Sequence, residues 1–245
     1  MKATRTVGIL GGMGPAAGAD FARLFVAACA AHLRSLNMEV SDQAFPEHWL
    51  AQVPVPDRSA ALTLPGAGAH QPLEPMLQAL GKLAALGATT VAVACNTAHA
   101  WHGALQRRFP QLEVLHVARE LACSLSDAKV HDVGLLATEG TYQAALYSQA
   151  FALAGVQCHI PTATERAQLM YGIYSGVKTG NLTLANNLFQ RVAEALARRH
   201  GLNTLVLGCT EIPLALGRID RMPGVQLIDP AAVLAKKLAE RAYSV

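Results

Sequence analysis

The chain has 245 residues, 52% of them hydrophobic and 15% charged, with a formal net charge of +3. So few charges on so apolar a chain exclude a disordered or solvating polymer, and the length fits one large domain or two small ones. The 20 Lys and Arg are spread among 17 Asp and Glu without a dense basic run, which argues against a nucleic-acid partner. Short β-branched or apolar runs alternate with Ala- and Leu-rich segments, the pattern of α/β units around a mostly parallel sheet. In chain order, strands are predicted at residues 6–10, 89–94, 114–116, 132–137, 156–160 and 204–207. Helices are predicted at 16–33, 73–86, 142–154, 164–175, 182–200 and 231–242, and the 45 alanines suit closely packed helices. Between the first two helices, residues 45–75 hold six of the 12 prolines and read as an irregular functional loop region.

No stretch approaches the ~18 consecutive apolar residues of a membrane span, so no membrane partner is expected. Residues 1–5 run straight into the first strand without the long apolar segment of a secretory signal. The five cysteines, Cys29, Cys95, Cys123, Cys158 and Cys209, are odd in number and widely spaced. They suit reduced thiols of a cytoplasmic protein better than a disulfide framework.

Self-comparison divides the chain. Residues 87–95 overlay residues 201–209, bringing Gly87 onto Gly201, Thr90 onto Thr204 and Cys95 onto Cys209. Val7-Gly8-Ile9-Leu10 likewise overlays Val133-Gly134-Leu135-Leu136, each followed by a loop glycine, Gly14 or Gly140. Two collinear matches at similar offsets point to a duplicated α/β domain. The expected division is 1–116, completed by a C-terminal helix at 228–245, and 117–227. In open parallel sheets ligands bind outside the carboxyl ends of the strands, where both Cys95 and Cys209 fall. The expected architecture is two pseudo-symmetric parallel-sheet α/β domains with the active site in the cleft between them, where the two thiols oppose each other.

A carbon acid flattened by deprotonation can be reprotonated from either face, so inversion of a stereocentre benefits from an acid and a base on opposite sides. Two cysteines at mirrored strand ends offer that pair without a metal. A thiol titrating near about 8.5 is made more acidic by the free N–H groups of a strand-to-helix turn. Asn96 and Thr97 after the first cysteine, and Thr210 and Glu211 after the second, place polar groups where a carboxylate or enolate oxygen needs donors. A cysteine ending a buried strand is otherwise a small core hydrophobe, the simpler reading for one cysteine but not for a mirrored pair.

Cys95-Asn96-Thr97-Ala98-His99 together with Gly208-Cys209-Thr210-Glu211 resembles the signature pair of the aspartate/glutamate racemase family. The resemblance runs in order along nearly the whole chain, through Gly11-Gly12-Met13-Gly14-Pro15, Pro56-Asp57-Arg58, Leu136-Ala137-Thr138-Glu139-Gly140-Thr141 and Val177-Lys178. It implies amino acid racemisation without pyridoxal phosphate or any other cofactor, with Cys209 serving the L-face and Cys95 the D-face. It also implies that Asn96, Thr97, Thr138, Thr141 and Thr210 bind the α-carboxylate or amino group. Arg58 and Lys178 would then meet carboxylate oxygens of an acidic side chain, and Met13 would line the pocket. Taken alone, Arg58 and Lys178 read as surface charges. Relatives of this kind often form homodimers. The chain departs from the family at Gly14-Pro15-Ala16-Ala17-Gly18, where members often have Gly-Pro-Glu-Ala-Thr. It departs again at Gln52-Val53-Pro54-Val55, where Asn-Pro-Gln-Ile is common, and at Ser59, usually threonine. These positions read substrate side chains, so aspartate and glutamate stand as the first substrates with a broader range open.

Other readings compete. Gly12-Met13-Gly14-Pro15-Ala16-Ala17 also fits a dinucleotide-binding loop, with Glu39 or Asp42 as the ribose-binding acid. That oxidoreductase reading leaves both cysteines without a role. A non-catalytic amino acid sensor needs neither cysteine, and related decarboxylases and cis-trans isomerases use similar ones. Cys95 with His99 or His102 is short of metal ligands, so His99 is expected to support the turn after Cys95. Lys178 as a pyridoxal phosphate Schiff base lacks an accompanying phosphate site. Cys29 and Cys123 are expected in helices and Cys158 in a strand.

Overall fold

A computed structural model describes residues 4–216, 222 and 224–244. The chain forms two units, Met1–Glu120 with Ala231–Val245, and Leu121–Pro230.

The first unit is built on β1 (Val7–Gly11), β2 (His48–Gln52), β3 (Thr90–Val93) and β4 (Glu113–Val114). They form one sheet in the order β2-β1-β3-β4, every neighbouring pair parallel. β1 and β3 are buried along their whole length, as strands covered by helices on both faces must be. The covering helices are α1 (Pro15–Ser35), α2 (Arg58–Thr63), α3 (Leu73–Ala85) and α4 (His102–Arg108). α1 is long and apolar enough to cross a membrane by length and mean hydropathy alone, although Asp20 and Arg23 interrupt its apolar residues. In the fold it behaves as an amphipathic helix: Ala17, Gly18, Phe21, Phe25, Cys29 and Leu33 form one buried stripe, and Asp20 pairs with Arg23 outside it.

The second unit repeats the scheme with β5 (Asp132–Ala137), β6 (Gln157–His159), β7 (Thr204–Gly208) and β8 (Gln226–Ile228), again parallel throughout, in the order β6-β5-β7-β8. Adding four to each strand number of the first sheet gives the second, so the duplication seen in sequence is a duplication of topology. α5 (Val117–Asp127) leads into this unit, and α6 (Glu139–Gln143), α7 (Leu146–Leu153), α8 (Ala163–Tyr171), α9 (Leu182–His200) and α10 (Ile212–Leu216) follow. α9 supplies much of the core through Ala185, Phe189, Val192, Ala193 and Leu196. α11 (Pro230–Tyr243) belongs to the first unit, where Leu234, Ala235, Leu238 and Ala242 are buried. Arg241 Nε reaches both carboxylate oxygens of Glu113 at 2.8 and 3.0 Å.

All six predicted strands form. The structure corrects the reading of residues 45–75, which hold β2 and α2, with Pro46, Pro54, Pro56 and Pro65 outside both elements, Pro72 just before α3 and Pro75 in its first turn. The predicted helix at 142–154 is two helices, because Ala145 adopts a left-handed conformation with φ 49°. The helix predicted at 164–175 ends at Tyr171 and continues as a π turn over Gly172–Gly176 and a tight turn at Val177–Thr179.

Candidate active site

Each unit carries a buried cysteine just past the carboxyl end of its third strand in chain order. In the first unit Ala94 N–H donates to the Leu10 carbonyl at 2.8 Å, extending the β1–β3 ladder to the residue before Cys95. Cys95, Asn96 and Thr97 are 6%, 3% and 6% exposed, and a 3-10 turn over Thr97–Trp101 carries the chain into α4. His99 turns its ring back beneath this turn. Its Nδ1 lies 2.9 Å from the Cys95 carbonyl oxygen and 3.3 Å from that of Asn96. Both partners are acceptors, so Nδ1 carries the proton, as a supporting role for His99 requires. His99 Nε2 is buried without a hydrogen-bond partner.

The rings of His102 and His116 lie 6.4 and 5.4 Å from that of His99 and 4.7 Å from each other. Burial, reinforced by His102, pushes His99 down to about 4. Burial, with His99, His102 and Arg119 adding repulsion, pushes His116 down to about 3. His102, whose Nε2 sits 2.7 Å from the Val114 carbonyl, is lowered mainly by burial. The rings are therefore neutral near pH 7. With His99 Nδ1 and His102 Nε2 both turned to backbone carbonyls, the cluster does not present ring nitrogens to a shared ion, and no metal-holding group of three occurs among the described residues.

Met13 and Cys95 share one buried cluster with Ala61 of α2. Arg58, at the start of α2, is not a surface charge but only 9% exposed. Its Nη2 donates to the Met13 carbonyl at 2.7 Å, and Nη1 donates to those of Val55 and Pro56 at 3.0 and 3.1 Å. Its Nε is buried without a partner. The guanidinium thus ties the proline-rich segment to the loop after β1 and keeps a buried N–H unsatisfied.

In the second unit Cys209 directly follows β7 and is 4% exposed. Its Sγ donates to Glu211 Oε2 at 3.0 Å, and Thr210 Oγ1 donates to the same oxygen at 3.1 Å. Glu211, 6% exposed, is therefore an acceptor on the thiol and not one more donor for a substrate. Thr138 caps α6 by accepting from Thr141 N–H at 3.2 Å, and the two hydroxyls lie 3.0 Å apart. Tyr142, which the sequence reading passed over, locks this corner: its hydroxyl accepts from Ala137 N–H at 2.8 Å and donates to the Leu135 carbonyl at 2.9 Å. Burial raises its pKa well above the usual phenol range. Lys178 is exposed on the turn after the π turn, its ammonium 4.0 Å from the centre of the Tyr174 ring. Val177 beside it packs on the cluster that contains Cys209.

The remaining cysteines take other parts. Cys29 and Cys158 are pushed up to about 12 by burial, and Cys123 is exposed on α5. The glycine loop after β1 is filled by the chain itself. Gln52 Nε2 donates to the Pro15 carbonyl at 2.9 Å, and Val53 packs against Gly12. Glu39 and Asp42 lie before β2 rather than at its carboxyl end, so neither holds the position of a ribose-binding acid.

The family model for Asp/Glu/Hydantoin racemase matches residues 10–238. A glutamate racemase of Desulforudis audaxviator is 32% identical over 162 residues, which cover 64% of this chain and 57% of that enzyme, little more than half its length. Among solved structures, the Picrophilus torridus aspartate racemase superposes with a TM-score of 0.78 at 25% identity, covering 97% of this chain and 94% of that one. An aspartate racemase homologue from Pyrococcus horikoshii shares the fold with a TM-score of 0.73 at 23% identity over the full length of both chains. With two duplicated parallel-sheet units and a family match spanning nearly all of its length, the chain belongs to the Asp/Glu/hydantoin racemase family of isomerases.

Proposed function

We propose that the protein racemises an acidic amino acid, aspartate or glutamate first, with Cys95 and Cys209 as the two acid/base groups. The carrying observation is that each unit ends its third strand in a buried cysteine, and that one of the two thiols already donates to a carboxylate. In this mechanism one cysteine enters as thiolate and takes the α-proton, leaving a planar carbanion. The other enters as thiol and returns a proton to the opposite face, so the cycle ends with the roles exchanged. Glu211 Oε2 is placed to hold the Cys209 proton while that sulfur is a thiolate. The α-carbon is a weak acid, and the polar groups that follow each cysteine (Asn96, Thr97 and Thr210), with Thr138 and Thr141 at the start of α6, are assigned to the α-carboxylate or amino group, where they stabilise the carbanion. Arg58, with a buried N–H left over, and Lys178 are assigned to the substrate's side-chain carboxylate, and Met13 to the pocket wall. The acidic substrate is supported by the names of the relatives, an aspartate racemase and a glutamate racemase.

The test is proton NMR in deuterated water with L-aspartate, L-glutamate, other amino acids and a 5-substituted hydantoin. Loss of the α-proton signal from an acidic amino acid is expected, with conversion to the other enantiomer abolished in both Cys95→Ala and Cys209→Ala. Exchange of the hydantoin alone would overturn the substrate assignment, and full activity in either cysteine variant would overturn the two-thiol mechanism.

A further inference from the structure

We propose that His99 is a positioning residue for Cys95, acting as a neutral N–H donor on the peptide that carries the thiol and not as its proton acceptor. The inference rests on the catalytic reading of Cys95. Its observation is independent: Nδ1 lies within hydrogen-bond distance of the Cys95 and Asn96 carbonyls, at 2.9 and 3.3 Å.

Those two carbonyls begin the 3-10 turn, which His99 N–H closes onto the Asn96 carbonyl at 3.0 Å. Main chain and side chain of one residue thus hold the same turn from two directions. With Ala94 held in the β ladder on one side of Cys95 and the Cys95 carbonyl held by His99 on the other, the backbone at Cys95 has little freedom, and rotation about Cα–Cβ is what chiefly moves the sulfur. A thiol that must meet a carbon within a few tenths of an ångström needs this kind of support.

The ring is unsuited to proton transfer on its own account. Nδ1 is committed to the Cys95 and Asn96 carbonyl oxygens, and Nε2 is buried without a well-formed hydrogen bond, so neither nitrogen is turned to a proton-transfer partner. Burial is the main cause that keeps the ring neutral, and repulsion from His102 adds to it, outweighing the backbone carbonyls that favour a charged ring; on His116, His99, His102 and Arg119 act in the same sense. The unit with Cys209 solves its problem differently, by placing Glu211 on the thiol itself. In the first unit His99 anchors the backbone that carries a sulfur, and in the second Glu211 accepts from the sulfur itself.

The test compares three substitutions. In His99→Asn the side-chain amide nitrogen replaces Nδ1. In His99→Gln it replaces Nε2 instead, with more of the ring's volume kept. His99→Leu fills space without donating. We expect His99→Asn to keep kcat for D-aspartate racemisation, which Cys95 begins, within about threefold, while Gln and Leu each lower it about tenfold or more with KM within about twofold. A substrate-free measurement runs beside it: the alkylation rate of Cys95 by iodoacetamide, followed on its own peptide by mass spectrometry, with Asn close to wild type and Leu differing about fivefold or more. Equal kcat and equal alkylation in all three variants, or rescue by Gln and not by Asn, would overturn the inference. If Leu does not fold, the Asn and Gln pair decides alone. Cys95→Ala separates the two claims: full racemisation there overturns the catalytic reading, whereas lost racemisation there with full racemisation in His99→Gln overturns only the role of His99.

Discussion

At the scale of single residues, the least symmetric feature is the Glu211 carboxylate. One of its oxygens takes hydrogen bonds from both Cys209 and Thr210, so replacing it removes a charged acceptor from two buried donors at once. Glu211→Gln should lower kcat for α-proton exchange about tenfold to a hundredfold, since bonds to a charged group are worth about 1.5–3 kcal/mol. Steady-state exchange rates from both enantiomers check this, and an unchanged kcat would remove Glu211 from the mechanism. The cysteines themselves were legible in the sequence, because each follows an apolar strand and the two repeat. Glu211 was visible as a neighbour but not as a partner, since spacing by two residues does not say which way a carboxylate turns. Arg58 was misread in isolation for a similar reason: a charge looks solvated until the carbonyls of Met13, Val55 and Pro56 are seen to converge on it.

Among the elements, those with a period were readable and those without were not. β1, β3 and β7 are unbroken apolar runs and α9 is a long amphipathic helix, so all were legible. β2 was hidden because its five residues are bracketed by prolines and only partly buried, leaving no alternation to detect. Its junction with the loop after β1 explains the glycines there. A Cβ on Gly12, at φ +90°, would lie 2.3 Å from the Val53 carbonyl oxygen, a backbone atom that cannot step aside. A Cβ on Gly18 would lie 2.3 Å from Gln52 Oε1, the end of a flexible side chain. Gly12→Ala should therefore destabilise the protein by about 3 kcal/mol through strain and overlap. Gly18→Ala should cost about 1 kcal/mol, chiefly through the displaced Gln52. Urea unfolding of the two variants side by side tests the order, and a larger loss for Gly18→Ala would contradict it.

For the whole molecule, the buried histidines set the response to acid. Unfolded, His99 and His116 titrate near about 6.5; folded, they are held down at about 4 and about 3. Between these values the unfolded chain binds more protons, so their contribution is complete above pH about 6.5 and is lost as the pH falls through about 4 for His99 and about 3 for His116. The urea midpoint should drop across that window, and His99→Asn should flatten the drop; an unchanged slope would show that these rings do not govern it. The excursion of the chain has a different consequence, for the order in which the protein is made. The first unit yields its chain at Glu120 and recovers it only at Ala231, so the second unit is continuous and the first is not. On the ribosome, Leu121–Pro230 has its whole sheet available before α11 has been synthesised. The first unit, though begun earlier, must wait with the α11-facing part of its core uncovered and Glu113 without Arg241. The amino-terminal half of this protein is thus the last to be finished.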